Sequence, residues 1–279
     1  MRHLGWRVAF PASLVVVLFA VAAAVSPVAT AQTAEDEGRW AELAEIYFPD
    51  QTIVDRPDLL TMEAPYRAHD AAIVPIRVTA TFPQSEELSV ERLWLLVDDN
   101  PVPMVGKFEF GDDITAVDLT TRVRVNEYTY IHAVAELSDG SSIMTRSYVK
   151  AAGGCSAPAM KDPEVAASRL GSMRFNLPET IVAQTPVNAQ LLISHPNNTG
   201  MQFDQISRNY VPPHYVRTVR VSYGGQRVLD IEADISMSED PSFHFSFLPE
   251  GEGVIEVEVL DSEENIFSGS WTVKPAPAT

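Results

Sequence analysis

The chain has 279 residues, 46% of them hydrophobic, and sets 38 acidic side chains against 20 basic ones, a formal net charge of −18. That balance argues against nucleic-acid and anionic-membrane partners, which are met by clustered Lys and Arg, and favours a soluble protein with basic partners. A single cysteine, Cys155, rules out an internal disulfide, so apolar packing alone must hold each core.

Arg2 and Arg7 precede an apolar run from Leu14 to Val25, and Ala29-Thr30-Ala31 supplies small residues before Gln32. This is the pattern of a cleaved secretory signal over residues 1–31; the run is shorter than the roughly 20 residues of a membrane span. The expected location is the periplasm, after cleavage near Ala31. What remains suits two domains of about 100 residues each.

Trp40, Leu43, Ala44 and Tyr47 recur at helical spacing, and Pro49-Asp50 ends the pattern, which predicts a short N-terminal helix. Period-2 alternation then predicts strands at Ile76 to Ala80, Arg92 to Val97, Lys107 to Phe110, Ile114 to Val125, Tyr128 to Leu137 and Ser141 to Ala151, with Ser138-Asp139-Gly140 as a hairpin turn. Asp162-Pro163-Glu164 reads as a helix start and Gly171 as its stop, giving a short linker helix. Strand signals resume at Val187 to Ile193, Val216 to Tyr223, Gln226 to Ala233, Phe243 to Leu248, Gly253 to Leu260 and Ile266 to Val273, with Gly224-Gly225 as a turn. The fold class is all-β: two immunoglobulin-like antiparallel β-sandwich modules. The first covers residues 32–155 with its helix, the linker 156–176, and the second 177–275.

Cys155 lies between these modules in Gly153-Gly154-Cys155-Ser156-Ala157-Pro158. Gly153 and Gly154 give the segment arm-like flexibility and Pro158 blocks a continuing strand, so an exposed, reactive thiol outside regular structure is expected. An unperturbed thiol is only about 3% thiolate at pH 7. The acidic surface lowers that fraction further, while Lys150 and Lys161 oppose the effect. No base adjoins Cys155, so a partner must activate it. His132 and the scattered Ser and Asp residues define no catalytic set, and Cys155 with Met160 falls short of a soft-metal ligand set. His195 and Pro196 read as a hydrogen-bonded turn shaping the inter-module interface, and Glu239-Asp240 and Glu263-Glu264 as solvated turns. With no phosphate loop, zinc pattern or dinucleotide fingerprint, neither a cofactor nor a metal is expected.

The segment from His132-Ala133-Val134-Ala135-Glu136-Leu137-Ser138-Asp139-Gly140-Ser141 to Gly153-Gly154-Cys155 resembles the end of SoxY, the sulfur-carrying subunit of the bacterial Sox system. Leu192-Ile193-Ser194-His195-Pro196-Asn197-Asn198-Thr199-Gly200, with Val221-Ser222-Tyr223-Gly224-Gly225, Phe243 to Phe247 and Trp271-Thr272-Val273 following, resembles SoxZ. Their succession is similar to fused SoxYZ-like carriers associated with quinoprotein dehydrogenases. The resemblance implies a non-enzymatic carrier with Cys155 as the covalent attachment point for small sulfur species. The partners it implies are periplasmic oxidoreductases: a quinoprotein dehydrogenase, Sox-type enzymes or cytochrome c. Two departures shorten the arm: Gly-Gly-Cys-Ser replaces the usual Gly-Gly-Cys-Gly, and the cysteine is mid-chain. From Lys150, five residues reach about 17 Å. The alternative is a docking accessory of a quinoprotein dehydrogenase or its cytochrome, with Cys155 dispensable.

Overall fold

The structure, a computed structural model, describes residues 28–112, 114–158 and 163–277. Most of the expected signal segment, Met160, Lys161 and the Asp162 cap lie outside them. In chain order the elements are α1 (Val28–Tyr47), β1 (Ile53–Asp55), β2 (Leu60–Glu63), β3 (Val74–Ala80), β4 (Val90–Val97), β5 (Met104–Phe110), β6 (Asp118–Val123), β7 (Thr129–Leu137) and β8 (Ser142–Val149). After α2 (Pro163–Ser168) come β9 (Met173–Asn176), β10 (Val187–Ile193), β11 (Phe203–Asp204), β12 (Asn209–Tyr210), β13 (Val216–Tyr223), β14 (Gln226–Ala233), β15 (Ser242–Phe247), β16 (Gly253–Asp261) and β17 (Ile266–Val273). Among the described residues, no helix is long and apolar enough to cross a membrane.

Apart from β11 and β12, which pair as a separate two-stranded sheet, the strands form two facing sheets, and each of these contains strands from both halves of the chain. One runs β1-β8-β7-β4-β5-β14-β13-β16-β17, the other β2-β3-β6-β15-β10-β9. Alternation drives this arrangement: Val187, Ala189, Leu191 and Ile193 of β10 point inward while the residues between them are more exposed. The inner faces meet in one buried cluster that includes Leu93, Phe108 and Leu119 from the first half and Val219, Ile231 and Phe243 from the second. The two expected sandwiches are thus joined edge to edge around a shared core.

The seam is a strand pair. In β5 and β14, Phe108 opposes Ile231 and Phe110 opposes Leu229. Just beyond β5, Gly111 donates its N–H to Val228 O at 2.9 Å, and a Cβ there would stand 1.7 Å from Arg227 O. Only glycine permits this approach. Lys107 adds an ion pair to Glu232 at 2.7 Å across the seam. In the other sheet a single pairing, His244 with Thr120, joins β15 to β6.

Helix α1 is longer than the expected short helix and runs through Ala31 and Gln32. Its C-terminal half lies on the outer face of the nine-stranded sheet. Trp40 stacks on His132 at 3.9 Å, and Phe48 packs edge-on to Trp94 at 5.3 Å. Beneath Trp40, buried His132 bonds Asp98 at 2.9 Å.

Candidate functional site

Cys155 sits in a turn where the first half of the chain leaves its last strand. It lies outside regular secondary structure, as expected, but its side chain is fully buried rather than exposed. Its neighbour Ser156 is exposed, so the backbone runs at the surface with the thiol turned inward.

The glycines are docked too. Gly153 N–H donates to Asn126 O at 2.8 Å, and Gly154 N–H to Val125 O at 2.9 Å. A Cβ on Gly154 would stand 2.1 Å from Ala71 O and 2.7 Å from Val125 O. Gly154 therefore serves close approach in this conformation, where the sequence suggests only looseness, and Gly153 supplies the turn with φ at 78°.

Two side chains clasp the turn from opposite modules. Arg124, just past β6 and only 1% exposed, donates through Nη1 to Gly154 O at 3.0 Å and through Nη2 to Asn197 O at 3.3 Å. Thr199, from the loop after β10, donates its hydroxyl to Cys155 O at 2.6 Å. Gln202 braces Thr199 by accepting its N–H at Oε1, 2.8 Å away. Cys155 thus lies on the junction of the two modules.

Burial pushes the Cys155 thiol up to about 11, against the opposing pull of the Arg124 charge. A group at 11 is ionised in only about one molecule in ten thousand at pH 7. Arg124 is itself held below the usual arginine range by burial. No carboxylate of the described residues lies within ion-pair distance of it, and Glu239 and Asp70 act from farther away.

His195 and Pro196 sit differently from the expectation. His195 faces into its own module, 3.5 Å from Asp261 and against the His214 ring at 4.6 Å, while the seam contacts fall to Asn197 and Thr199 of the same loop. Pro196 is half-buried. His195, His214 and Asp261 present three potential ligand atoms, two imidazole and one carboxylate, close together, yet their hydrogen bonds oppose a metal. His195 Nδ1 accepts Asn197 N–H at 3.1 Å, which puts the imidazole proton on Nε2, the atom facing Asp261. A metal-bound histidine instead donates from its second nitrogen. Asp261 already accepts from Glu263, Asn265 and His214. Although burial opposes its charge, Asn265 and His214 lead the hydrogen bonds that lower it to about 2. Glu263-Glu264 is exposed as expected, whereas Glu239 is buried.

Arg124, Thr199 and Gln202 escaped the sequence reading. Arg124 follows the alternating strand at a position that should face outward, and burying it breaks the period. Thr199 belongs to the SoxZ-like segment, where its residue type alone signals no role. Lys150, expected to act on the thiol, instead lies over Tyr66 at 5.0 Å.

Residues 44–155 match the sulfur oxidation protein SoxY family, and residues 175–272 the sulphur oxidation protein SoxZ family. The SoxY match ends on Cys155 itself. A comparison with curated proteins finds no match. Among solved structures, the sulfur carrier protein SoxY of Chlorobium limicola f thiosulfatophilum is 18% identical, with 44% of this chain and 99% of that one covered and a TM-score of 0.35. The E23A superoxide reductase (neelaredoxin) of Ignicoccus hospitalis is 16% identical, with 37% and 96% covered and a TM-score of 0.32. With both family matches in sequence order on one polypeptide, and the cysteine at the end of the first, the chain belongs to the SoxYZ sulfur-oxidation carrier family as a fused, non-enzymatic member.

Proposed function

We propose that the protein is a periplasmic carrier that holds a small sulfur-containing or related electrophilic group covalently on Cys155 and presents it to partner oxidoreductases. The observation that carries this reading is the placement of the lone thiol at the end of the SoxY-matched segment, on a surface turn held by hydrogen bonds from both modules. Such a turn can open without unfolding either sheet. In the docked state the thiol is protonated and covered; released, it regains an ordinary pKa and can react.

Attachment of a sulfur species through a new S–S bond converts two S–H groups into a disulfide, two protons and two electrons. The electrons must leave through a partner oxidoreductase, for which a quinoprotein dehydrogenase or cytochrome c is suited. The protein itself supplies no redox centre in this scheme. Its task is to cover and uncover one sulfur atom.

Burial of Cys155 favours a second reading, a docking accessory of a quinoprotein dehydrogenase or its cytochrome in which the cysteine is inert packing. Cys155→Ser distinguishes the two. A carrier loses function in cells while partner pull-down and folding persist; an accessory keeps both growth and docking. Wild-type growth of the Cys155→Ser strain on the substrate that requires this protein would overturn the carrier proposal.

A further inference from the structure

A strand at the edge of a sheet presents unpaired N–H and C=O groups, and folded chains blunt such edges with short strands, charge, proline or bulges. Three of the four edges of the two large sheets follow this rule. β1 has three residues and ends on Asp55, β2 has four and ends on Glu63, and β9 has four and holds Arg174. β17 departs from it. Its eight residues, Ile266-Phe267-Ser268-Gly269-Ser270-Trp271-Thr272-Val273, include no charge and no proline, and it pairs with β16 along its whole length without a bulge. Among the described residues, no other backbone hydrogen bond reaches it. Its ends show which groups are free. One step beyond the Ile266–Leu260 pair, Asp261 donates its N–H to Asn265 O at 3.1 Å, and Val254 O, opposite Thr272, turns away from β17 to accept Gly224 N–H at 3.0 Å. Hydrogen-bonded and non-hydrogen-bonded pairs alternate in an antiparallel ladder, so Ile266, Ser268, Ser270 and Thr272 aim their backbone groups at the open edge. All four residues are exposed, Ile266 to 65%.

We propose that β17 is the interface through which two copies of this chain associate, strand against strand, antiparallel and centred on Gly269. A two-fold axis normal to the sheet keeps every side chain on its own face, so opposed residues differ by an even number of positions. Centring on Gly269 sets Ser268 against Ser270 and Ile266 against Thr272, each pair exchanging two backbone hydrogen bonds, and sets Phe267 against Trp271 on the core-facing side. It also brings Lys274, just past the strand, beside Glu264 of the second copy, just before it, at both ends. Centring on Ser268 or Ser270 keeps the hydrogen bonds but loses this charge match, because Lys274 would then face Ser262 or Ile266. The match, repeated by symmetry, selects a second copy as the occupant of the edge. Glu264 and Lys274 already have exposed partners within the chain, Arg217 at 2.8 Å and Glu252 at 3.1 Å, and pairs of that kind are weak enough to share.

Sedimentation of the folded protein provides the first test, in salt of about 0.15 M, which screens the repulsion between two acidic chains beyond about 8 Å. At about 100 μM the protein should sediment as a dimer, and dilution should return it to the monomer. Lys274→Glu and Glu264→Lys should each raise the dimer dissociation constant about tenfold, and their combination should restore it to within about threefold. Cross-linking of Cys155→Ser chains reads the register, with oxidised glutathione taking up the two electrons and two protons released by each new disulfide. Hydrogen-bonded pairs stand about 5.5 Å apart at Cα, within disulfide range. A mixture of Ser268→Cys chains and Ser270→Cys chains should therefore link more readily than either kind alone. A monomer at the highest concentration, self-linkage of one kind in preference to the mixture, or charge variants that fail to rescue each other would overturn the inference. Cys155 takes no part in these measurements, so the edge pairing and the carrier reading can fail separately.

Discussion

Gly154→Ala probes the docked turn most sharply. The new Cβ would stand 2.1 Å from Ala71 O and 2.6 Å from its carbonyl carbon, and these are backbone atoms that cannot swing aside. Docking depends on the N–H groups of Gly153 and Gly154, the Arg124 bond to Gly154 O and the Thr199 bond to Cys155 O. At about 1 kcal/mol net for each such bond, the closed turn is favoured by about 4 kcal/mol. Overpacking of this kind costs about 1–3 kcal/mol. At the upper end the open fraction rises about a hundredfold, since 1.4 kcal/mol corresponds to a factor of ten. Thiol labelling by an aromatic disulfide at pH 8 should therefore accelerate about a hundredfold, while cooperative urea unfolding persists. Labelling proceeds only from the open turn, where the thiol has its ordinary pKa, so the change in acidity adds no further factor. A labelling rate unchanged in Gly154→Ala, or one that rises only with global unfolding, would refute the docked-turn argument.

The Thr199→Val variant removes the hydroxyl that holds Cys155 O and should raise the labelling rate about five- to thirtyfold, from a loss of about 1–2 kcal/mol, measured under the same conditions. Because docking raises the thiol pKa to about 11, the folded state binds this proton more tightly than the open or unfolded state does. The stabilisation is complete below about pH 9 and lost as pH rises through 11. Thermal midpoints measured across that window should fall more steeply for the wild type than for Cys155→Ser; parallel curves would exclude it. Proteolytic nicking between Ala157 and Gly171 should leave the halves associated, because β5 pairs with β14 and one core spans both modules. Separate elution of two fragments under native conditions would contradict the shared sandwich.

Most of the strand architecture is legible in the sequence because alternation marks half-buried strands well. β10, β13, β14 and β17 fall on the predicted bounds. The short strands β1, β2 and β9 carry too few residues to show a period, and their place is decided by the sheets they join. Nor does alternation show that β5 and β14 are partners: Gly111, which the close approach to Arg227 requires, looks like any loop glycine. At the site, composition and position pick out Cys155 but misjudge its setting. Flanking glycines read as freedom because their role in admitting backbone contacts depends on Ala71 and Val125, distant in sequence. Arg124 escapes for a related reason. A charged residue after an alternating strand is ordinarily a solvated one, and only the Gly154 and Asn197 carbonyls, brought together by the fold, make its burial tolerable.

The central claim is that one sulfur atom carries cargo, and the intact mass of the protein isolated from its native compartment during substrate oxidation tests it most directly. A defined mass increment removable by thiol reductant, mapped to Cys155 and absent from Cys155→Ser, is the expected result. An unmodified mass throughout turnover, from cells whose growth requires the protein, would contradict it.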